Sequence, residues 1–304
     1  MDCVRFLSAF LLSVLAVLPN PVSAASPARP AWPPLCVTTE DLVASGSVHL
    51  MGDFTTTYPT SDPDRDFNLA LAAKKLCGAR VEPGAVFSFN GRVGEASVQE
   101  GFRPAHVFIG DRIVQGDGGG VCQVVGTLFG AVVRSGLPIV ERHLHGLTVP
   151  YVPVGEDATI AYGALDFQFR NDTPGTLRLL ASARGPSVRV AIYGSVGGVE
   201  ARFHHRTAGW VEPDTIRVPT RRLAAGQTRV VRQGQKGVTV TTWLTQVGRG
   251  GTSTTSLGTH TYRASPRVVE IGVRTDGKAR PRLEIPRRGP SVRSREGRRT
   301  GRSS

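Results

Sequence analysis

Gly116-Asp117-Gly118-Gly119-Gly120-Val121-Cys122-Gln123 leads straight into the apolar segment Val124 to Val133, whose only helix-weakening residues are Gly126 and Gly130. An apolar run of that length reads as a buried helix, and it places Cys122 at or near the helix N-terminus. Unpaired N–H groups and the helix dipole favour an anion there, and the thiolate is the reactive form of cysteine. Glycine has no Cβ, so the run before the cysteine permits a sharp turn and a close approach of backbone or ligand. Thiol nucleophiles use such a lead-in. A purely structural reading keeps Cys122 as a small buried hydrophobe and assigns the glycines to close packing.

Outward from this helix, the pattern alternates between strands and turns. Phe54 to Tyr58 has strand composition, and Arg65 to Leu76 reads as a helix stopped by Gly78. Val86 to Asn90 alternates as a strand does, and Ala105 to Ile109 with Arg112 to Gln115 flank a Gly110-Asp111 hairpin signal. After Gly136-Leu137-Pro138, Ile139 to His143 starts a strand. Ala158 to Tyr162 with Leu165 to Phe169, and Leu177 to Leu180 with Val188 to Tyr193, read as two further pairs. The fold class expected for 51–195 is therefore α+β, with two helices packed on a mostly antiparallel sheet. From Ala201 to Gly272 the chain is rich in Thr, Val, Arg and Gly without helical period, which predicts a small all-β module over 196–273.

The ends differ in kind. Arg5, the apolar Phe6 to Leu18 and the small residues Val22-Ser23-Ala24 form a secretory signal over 1–25, too short to span a bilayer. A Pro- and Ala-rich linker is expected over 26–50. The net charge is +13, and 274–304 holds eleven Lys and Arg against three Asp and Glu. Such a tail cannot bury enough surface to fold. Its charge suits an anionic wall polymer, whereas export disfavours nucleic acid as a partner. No transmembrane segment is expected elsewhere. Once Cys3 leaves with the signal, Cys36, Cys77 and Cys122 remain in an oxidising compartment. Cys36 with Cys77 is the natural pair, and Cys122 is then the free thiol.

A helix from Cys122 to Ser135 is roughly 20 Å long, and a strand from Ile139 to His145 covers roughly 23 Å. Folding back antiparallel, it returns His145 to Cys122. Asp157 or Asp166 could then orient the imidazole, and Gln123 or the glycine amides could form an oxyanion hole. A metal site from Cys122, His143 and His145 lacks CxxC or HExxH spacing, so neither metal nor cofactor is expected.

These residues resemble the VanW family. The likeness is carried by Phe54 to Tyr58, Pro83-Gly84, Phe87 to Asn90, Gly101-Phe102, Gly118 to Gln123, Ile139 to His143 with His145, Tyr151-Val152-Pro153, Gly155 to Thr159, and Asp166-Phe167 with Asn171. Gly146 stands where the family usually has serine. Gly226, Val230 to Gly237, Tyr262 and Val269 to Gly272 resemble a G-five module, a class associated with extracellular adhesion. The first resemblance implies a wall-associated protein that binds peptidoglycan or its precursors in an accessory role. Gly118, Gly119, Gly120, Gln123, Asn90, His143 and Tyr151 are its candidate binding residues. A fainter similarity to transglutaminase-like and papain-like cores implies the alternative, a cysteine-dependent amide hydrolase or acyl transferase. There Cys122 is the nucleophile, His145 the base, and Asp157 or Asp166 the orienter.

Overall fold

The computed structural model describes residues 36–59, 62–109, 112–248 and 251–274. The signal expected over 1–25, the first part of the linker and the basic tail beyond Arg274 lie outside the described residues.

The chain begins with α1 (Thr39–Ala44), β1 (His49–Thr57), α2 (Pro63–Leu76), β2 (Arg80–Val81), β3 (Val86–Ser88) and α3 (Phe89–Val93). It continues through β4 (Pro104–Ile109), β5 (Arg112–Asp117), α4 (Val121–Arg134), β6 (Ile139–Glu141), β7 (Gln168–Arg170), β8 (Leu177–Arg184) and β9 (Ser187–Gly194). Six strands follow: β10 (Glu200–Val211), β11 (Thr215–Thr220), β12 (Thr228–Arg232), β13 (Gly237–Gly248), β14 (Gly251–Tyr262) and β15 (Arg267–Gly272).

The sheet order β1-β9-β8-β2 is antiparallel throughout. It forms the floor on which α4 lies, against β1 and β9, while α2 packs on β8. Two smaller assemblies, β3-β7-β6 and the hairpin β4-β5, complete this α+β part. The later strands form the sheets β10-β13-β14 and β11-β15-β12, the second holding one parallel pair, β11 with β15.

Local chemistry accounts for the two long helices. Asp62 caps α2 by accepting the Arg65 N–H at 3.1 Å, Pro63 opens it, and Lys74 and Lys75 sit in its last turn. α4 is apolar almost all round, and twelve of its residues, including Val124, Val125, Leu128, Phe129, Val132 and Val133, are buried. Each buried Val, Leu or Phe contributes about 1.5–3 kcal/mol relative to exposure. Gly130 lets the ring of Phe54 from β1 lie against the helix, since a Cβ there would fall within 2.0 Å of that ring. A polar seam crosses the same contact, where Thr56 and Thr127 share a hydrogen bond of 2.8 Å.

Four expectations are corrected. Residues 36–50, read as linker, carry the Cys36–Cys77 disulfide, the capped helix α1 and the start of β1. Two short helices, α1 and α3, accompany the two long ones. The strand at Val86 stops at Ser88 because its Oγ accepts the Gly91 N–H at 2.9 Å and starts α3. The pair expected from 158–169 is reduced to an Ala161–Leu165 bridge followed by β7, because the chain turns at once, with the Ala164 N–H on the Ala161 carbonyl at 2.8 Å.

Candidate functional site

α4 starts where glycine geometry allows it. Gly118 (φ +67°) and Gly120 (φ +106°) lie in the left-handed region, and a Cβ on Gly119 would sit 2.7 Å from the Ala105 carbonyl carbon and the His106 oxygen. The glycine run therefore has a packing role whatever else it does. Cys122 is the second residue of α4 and a half-buried free thiol. It opens on a cleft of about 310 Å³ whose walls include Arg65, His106, His145, Tyr151 and Thr159.

The sulfur of Cys122 lies 3.4 Å from Thr159 Oγ1, and His145 lines the same cleft close enough to act on the thiol electrostatically. His145 is 4% exposed, and its Nδ1 meets Asp157 Oδ2 at 2.7 Å, an oxygen that also accepts the His145 backbone N–H at 2.9 Å. A proton on Nδ1 is what that contact requires, which makes Nε2 the ring nitrogen able to serve the thiol. Asp157 is 1% exposed, and its second oxygen accepts a hydrogen bond from the Tyr262 hydroxyl. Cys122, His145 and Asp157 thus lie side by side, the last two joined by hydrogen bonds.

The electrostatics follow from this arrangement. Burial opposes charge on the Cys122 sulfur, yet the hydrogen bond and charge of His145 outweigh it and lower the thiol below its ordinary range. Burial likewise opposes the imidazolium, but Asp157 and Cys122 together raise His145 to about 9. Asp157 is held below the usual carboxylate range despite burial, through its bonds to His145 and Tyr262. Tyr151 and Tyr262 are both pushed up, by burial first and then by the negative charges near them, so both stay protonated.

His145 does not arrive on a long strand. β6 ends at Glu141, and Arg142 turns inward, where burial lowers its pKa to about 10. Its guanidinium lies over the Phe129 ring and donates to the carbonyls of Gly155 (2.5 Å) and Asp157 (3.0 and 2.8 Å). That grip ties the loop bearing His145 to the loop bearing Asp157.

Other candidates lie elsewhere or are already engaged. Asp166 has no place in this group; it accepts from Ser88 Oγ (2.5 Å), the Asn90 N–H (2.9 Å), the Phe167 N–H (2.7 Å) and Gln168 Nε2 (3.1 Å), anchoring α3. Asn90 donates its side-chain amide to the Leu165 carbonyl at 2.9 Å, beside that anchor. His143 pairs its imidazole with Glu141 at 2.9 Å and serves the site through its carbonyl, which accepts the Thr159 N–H at 2.9 Å. Gln123 is spent inside the fold, with Oε1 accepting from Arg65 (2.5 Å) and Nε2 donating to Thr56 (2.9 Å). Gln123 lines the cleft with its amide engaged at both ends. Among the described residues, no group of three or more His, Cys, Asp or Glu is placed to hold a metal ion.

Sequence reasoning missed three contributors. Thr159 and Arg142 lay inside quoted motifs without a role, and Tyr262 was read only as a mark of the second module. A buried tyrosine hydroxyl needs a partner, but nothing local to Tyr262 says which.

Residues 64–193 match the family described as VanW like protein. Over 155 residues the chain is 38% identical to the uncharacterized protein YoaR of Bacillus subtilis (strain 168), covering 51% of each chain. Over 118 residues it is 34% identical to the vancomycin B-type resistance protein VanW of Enterococcus faecalis (strain ATCC 700802 / V583), covering 37% of this chain and 43% of that one. The chain spans about half the length of these curated relatives. Among solved structures, the IgA1 protease G5 domain matches at 25% identity and a TM-score of 0.18, covering 25% of this chain and 92% of that one. HP0197-G5 matches at 16% identity and a TM-score of 0.15, covering 24% and 99%. The likeness to the VanW family thus lies in the domain at residues 64–193.

Proposed function

We propose that this protein acts in an accessory role on the bacterial cell wall, as an exported protein whose VanW-like domain takes wall peptides into the Cys122 cleft and cleaves or transfers an amide bond there. The observation that carries the reading is the buried, hydrogen-bonded His145–Asp157 pair beside the Cys122 thiol at one wall of that cleft. The resistance protein among the relatives supports a setting in wall metabolism, and no described helix is long and apolar enough to cross a membrane. A transglutaminase-like or papain-like arrangement is implied by chain order, with cysteine opening a buried helix and histidine and aspartate following.

The chemistry closes without a cofactor. The thiolate attacks the amide carbonyl carbon, and the carbon–sulfur bond forms as the π electrons move to oxygen. The Cys122 backbone N–H, in the first turn of α4, is the donor assigned to the new oxyanion. Collapse breaks the carbon–nitrogen bond, and the imidazolium of His145 gives its Nε2 proton to the leaving amine. Water, or an acceptor amine for transfer, then attacks the thioester carbonyl as its proton passes to His145; the carbon–sulfur bond breaks, releasing the acid or the new amide and restoring the thiolate–imidazolium pair. Asp157 keeps the imidazole in the required tautomer and balances its charge.

A second reading, binding of wall peptide without cleavage, is favoured by Gln123, whose amide is engaged with Arg65 and Thr56. The experiment is incubation of the full chain with soluble peptidoglycan fragments, acid quenching and mass spectrometry of both partners. An acyl adduct on Cys122, or cleaved fragments, absent in Cys122→Ala, is the expected result. Undiminished binding by wild type with neither adduct nor product would leave the binding reading in its place.

A further inference from the structure

We propose that Tyr262, in the β module, is a positioning residue for the thiol site, so that the module completes the Cys122–His145–Asp157 group in addition to any contact it makes with the wall. This rests on the reading of Cys122 as a nucleophile.

Tyr262 closes β14, 105 residues from Asp157, and is 1% exposed. Its hydroxyl donates to Asp157 Oδ1 and accepts the Gly155 N–H at 3.1 Å. With both His145 donors on Oδ2, the phenol is what meets the other carboxylate oxygen. A carboxylate held at both oxygens cannot rotate, and its fixed plane sets the imidazole ring that reaches Cys122.

The rest of the module grips the same two loops. His260 Nε2 meets the His145 carbonyl oxygen at 2.9 Å, and that ring packs edge-on against Tyr262 with centroids 4.7 Å apart. The Arg263 N–H donates to the Gly146 carbonyl at 2.8 Å, and Gln235 Nε2 reaches the Thr148 carbonyl at 2.6 Å. Val238, Val240 and Tyr262 form a buried cluster against which Leu144 and Val154 pack. Leu144 precedes His145 directly, and Val154 lies three residues before Asp157. A module serving only as a tethered adaptor needs none of this contact.

The titratable and charged groups around the pair are Cys122, His145, Asp157, Arg142, Glu156, Arg65, Tyr151, Tyr262 and, against the His145 carbonyl, His260. Tyr262 differs from the others in coming from the second module while touching the aspartate directly. Burial and the charge of Asp157 keep it protonated, so it remains a donor wherever the thiolate–imidazolium pair exists.

The test is the pH dependence of Cys122 alkylation by iodoacetamide in the full chain, for wild type, Tyr262→Phe and Val238→Ala. Tyr262→Phe removes one oxygen and keeps the ring, whereas Val238→Ala trims the same cluster and keeps the hydroxyl. The expected result is a midpoint shift of about one pH unit toward an ordinary thiol in Tyr262→Phe, or about tenfold slower alkylation at pH 6.5. Val238→Ala is expected to keep the wild-type midpoint while melting earlier. An unmoved midpoint in Tyr262→Phe, or equal shifts in both variants, overturns the proposal. If Tyr262→Phe does not fold, His260→Ala is read the same way: a shift in the same direction supports the proposal and an unmoved midpoint overturns it. Failure of the nucleophile reading is seen separately, as an ordinary thiol midpoint already in wild type.

Discussion

His145 and Asp157 are joined twice through one atom: the backbone N–H and the imidazole Nδ1 of His145 both meet Asp157 Oδ2, at 2.9 and 2.7 Å. The double bond-up fixes backbone and ring together, so the imidazole cannot turn without breaking the loop. Replacing Asp157 by Asn keeps the shape and removes the charge that sustains the imidazolium. Alkylation of Cys122 at pH 6.5 is expected to slow about tenfold or more, since each pKa unit is a factor of ten. Asp166→Asn serves as the contrast: it weakens the anchor of α3 and lowers the melting temperature, but leaves the alkylation midpoint unchanged.

The pH window of the site follows from the directions of two shifts. Thiolate is lost as pH falls through the lowered pKa of Cys122, and imidazolium is lost as pH rises through about 9 at His145. Iodoacetamide reactivity is therefore expected to persist well below pH 8.5, the ordinary thiol midpoint. In His145→Ala the midpoint is expected to return toward that value or rise above it, because burial is then opposed only by the hydrogen bonds from Thr159 and the Ile160 backbone. Mass-spectrometric alkylation rates between pH 5 and 10 check both; an identical midpoint in the two proteins would sink the ion-pair assignment.

Gly119→Ala tests the packing of the glycine turn apart from its chemistry. The added Cβ meets the Ala105 and His106 backbone at 2.7 Å, atoms that cannot swing aside. A loss of about 1–3 kcal/mol is expected, the usual range for overpacking, read as a lower melting temperature or denaturant midpoint. A variant as stable as wild type would mean that this turn is looser than its contacts imply.

The Cys36–Cys77 disulfide closes a separation of 41 residues and ties the chain before α1 to the end of α2. Chain-entropy reasoning gives about 4 kcal/mol for a loop of that size. Replacing both cysteines by serine is expected to lower the unfolding free energy by roughly that amount in denaturant titration without moving the Cys122 alkylation midpoint. A moved midpoint would show that the bridge also shapes the site.

Much of this molecule was determined by short-range chemistry, which a sequence displays openly. The largely apolar run from Val124 to Val133 dictated α4, because a helix apolar almost all round can only be buried. Period-two runs around turn residues located β4 with β5 and β8 with β9, and cysteine parity pointed to the Cys36–Cys77 bridge and the free thiol. Where local chemistry competed, the reading went astray: the strand at Val86 lost to the Ser88 cap, and the strand toward His145 lost to the inward turn of Arg142. What only the tertiary structure decided is which groups meet across long separations. Asp157 and Asp166 have the same carboxylate and similar flanking turns, yet one faces His145 and the other an α3 amide. Gln123 looked like a donor until Arg65 and Thr56 engaged both ends of its amide. The partner of Asp157 Oδ1 comes from Tyr262, 105 residues away at the end of β14, whereas Asp157 lies in a loop. Periodicity and capping act over a few residues, whereas a buried carboxylate takes its partner from whatever the packed fold brings within hydrogen-bond reach.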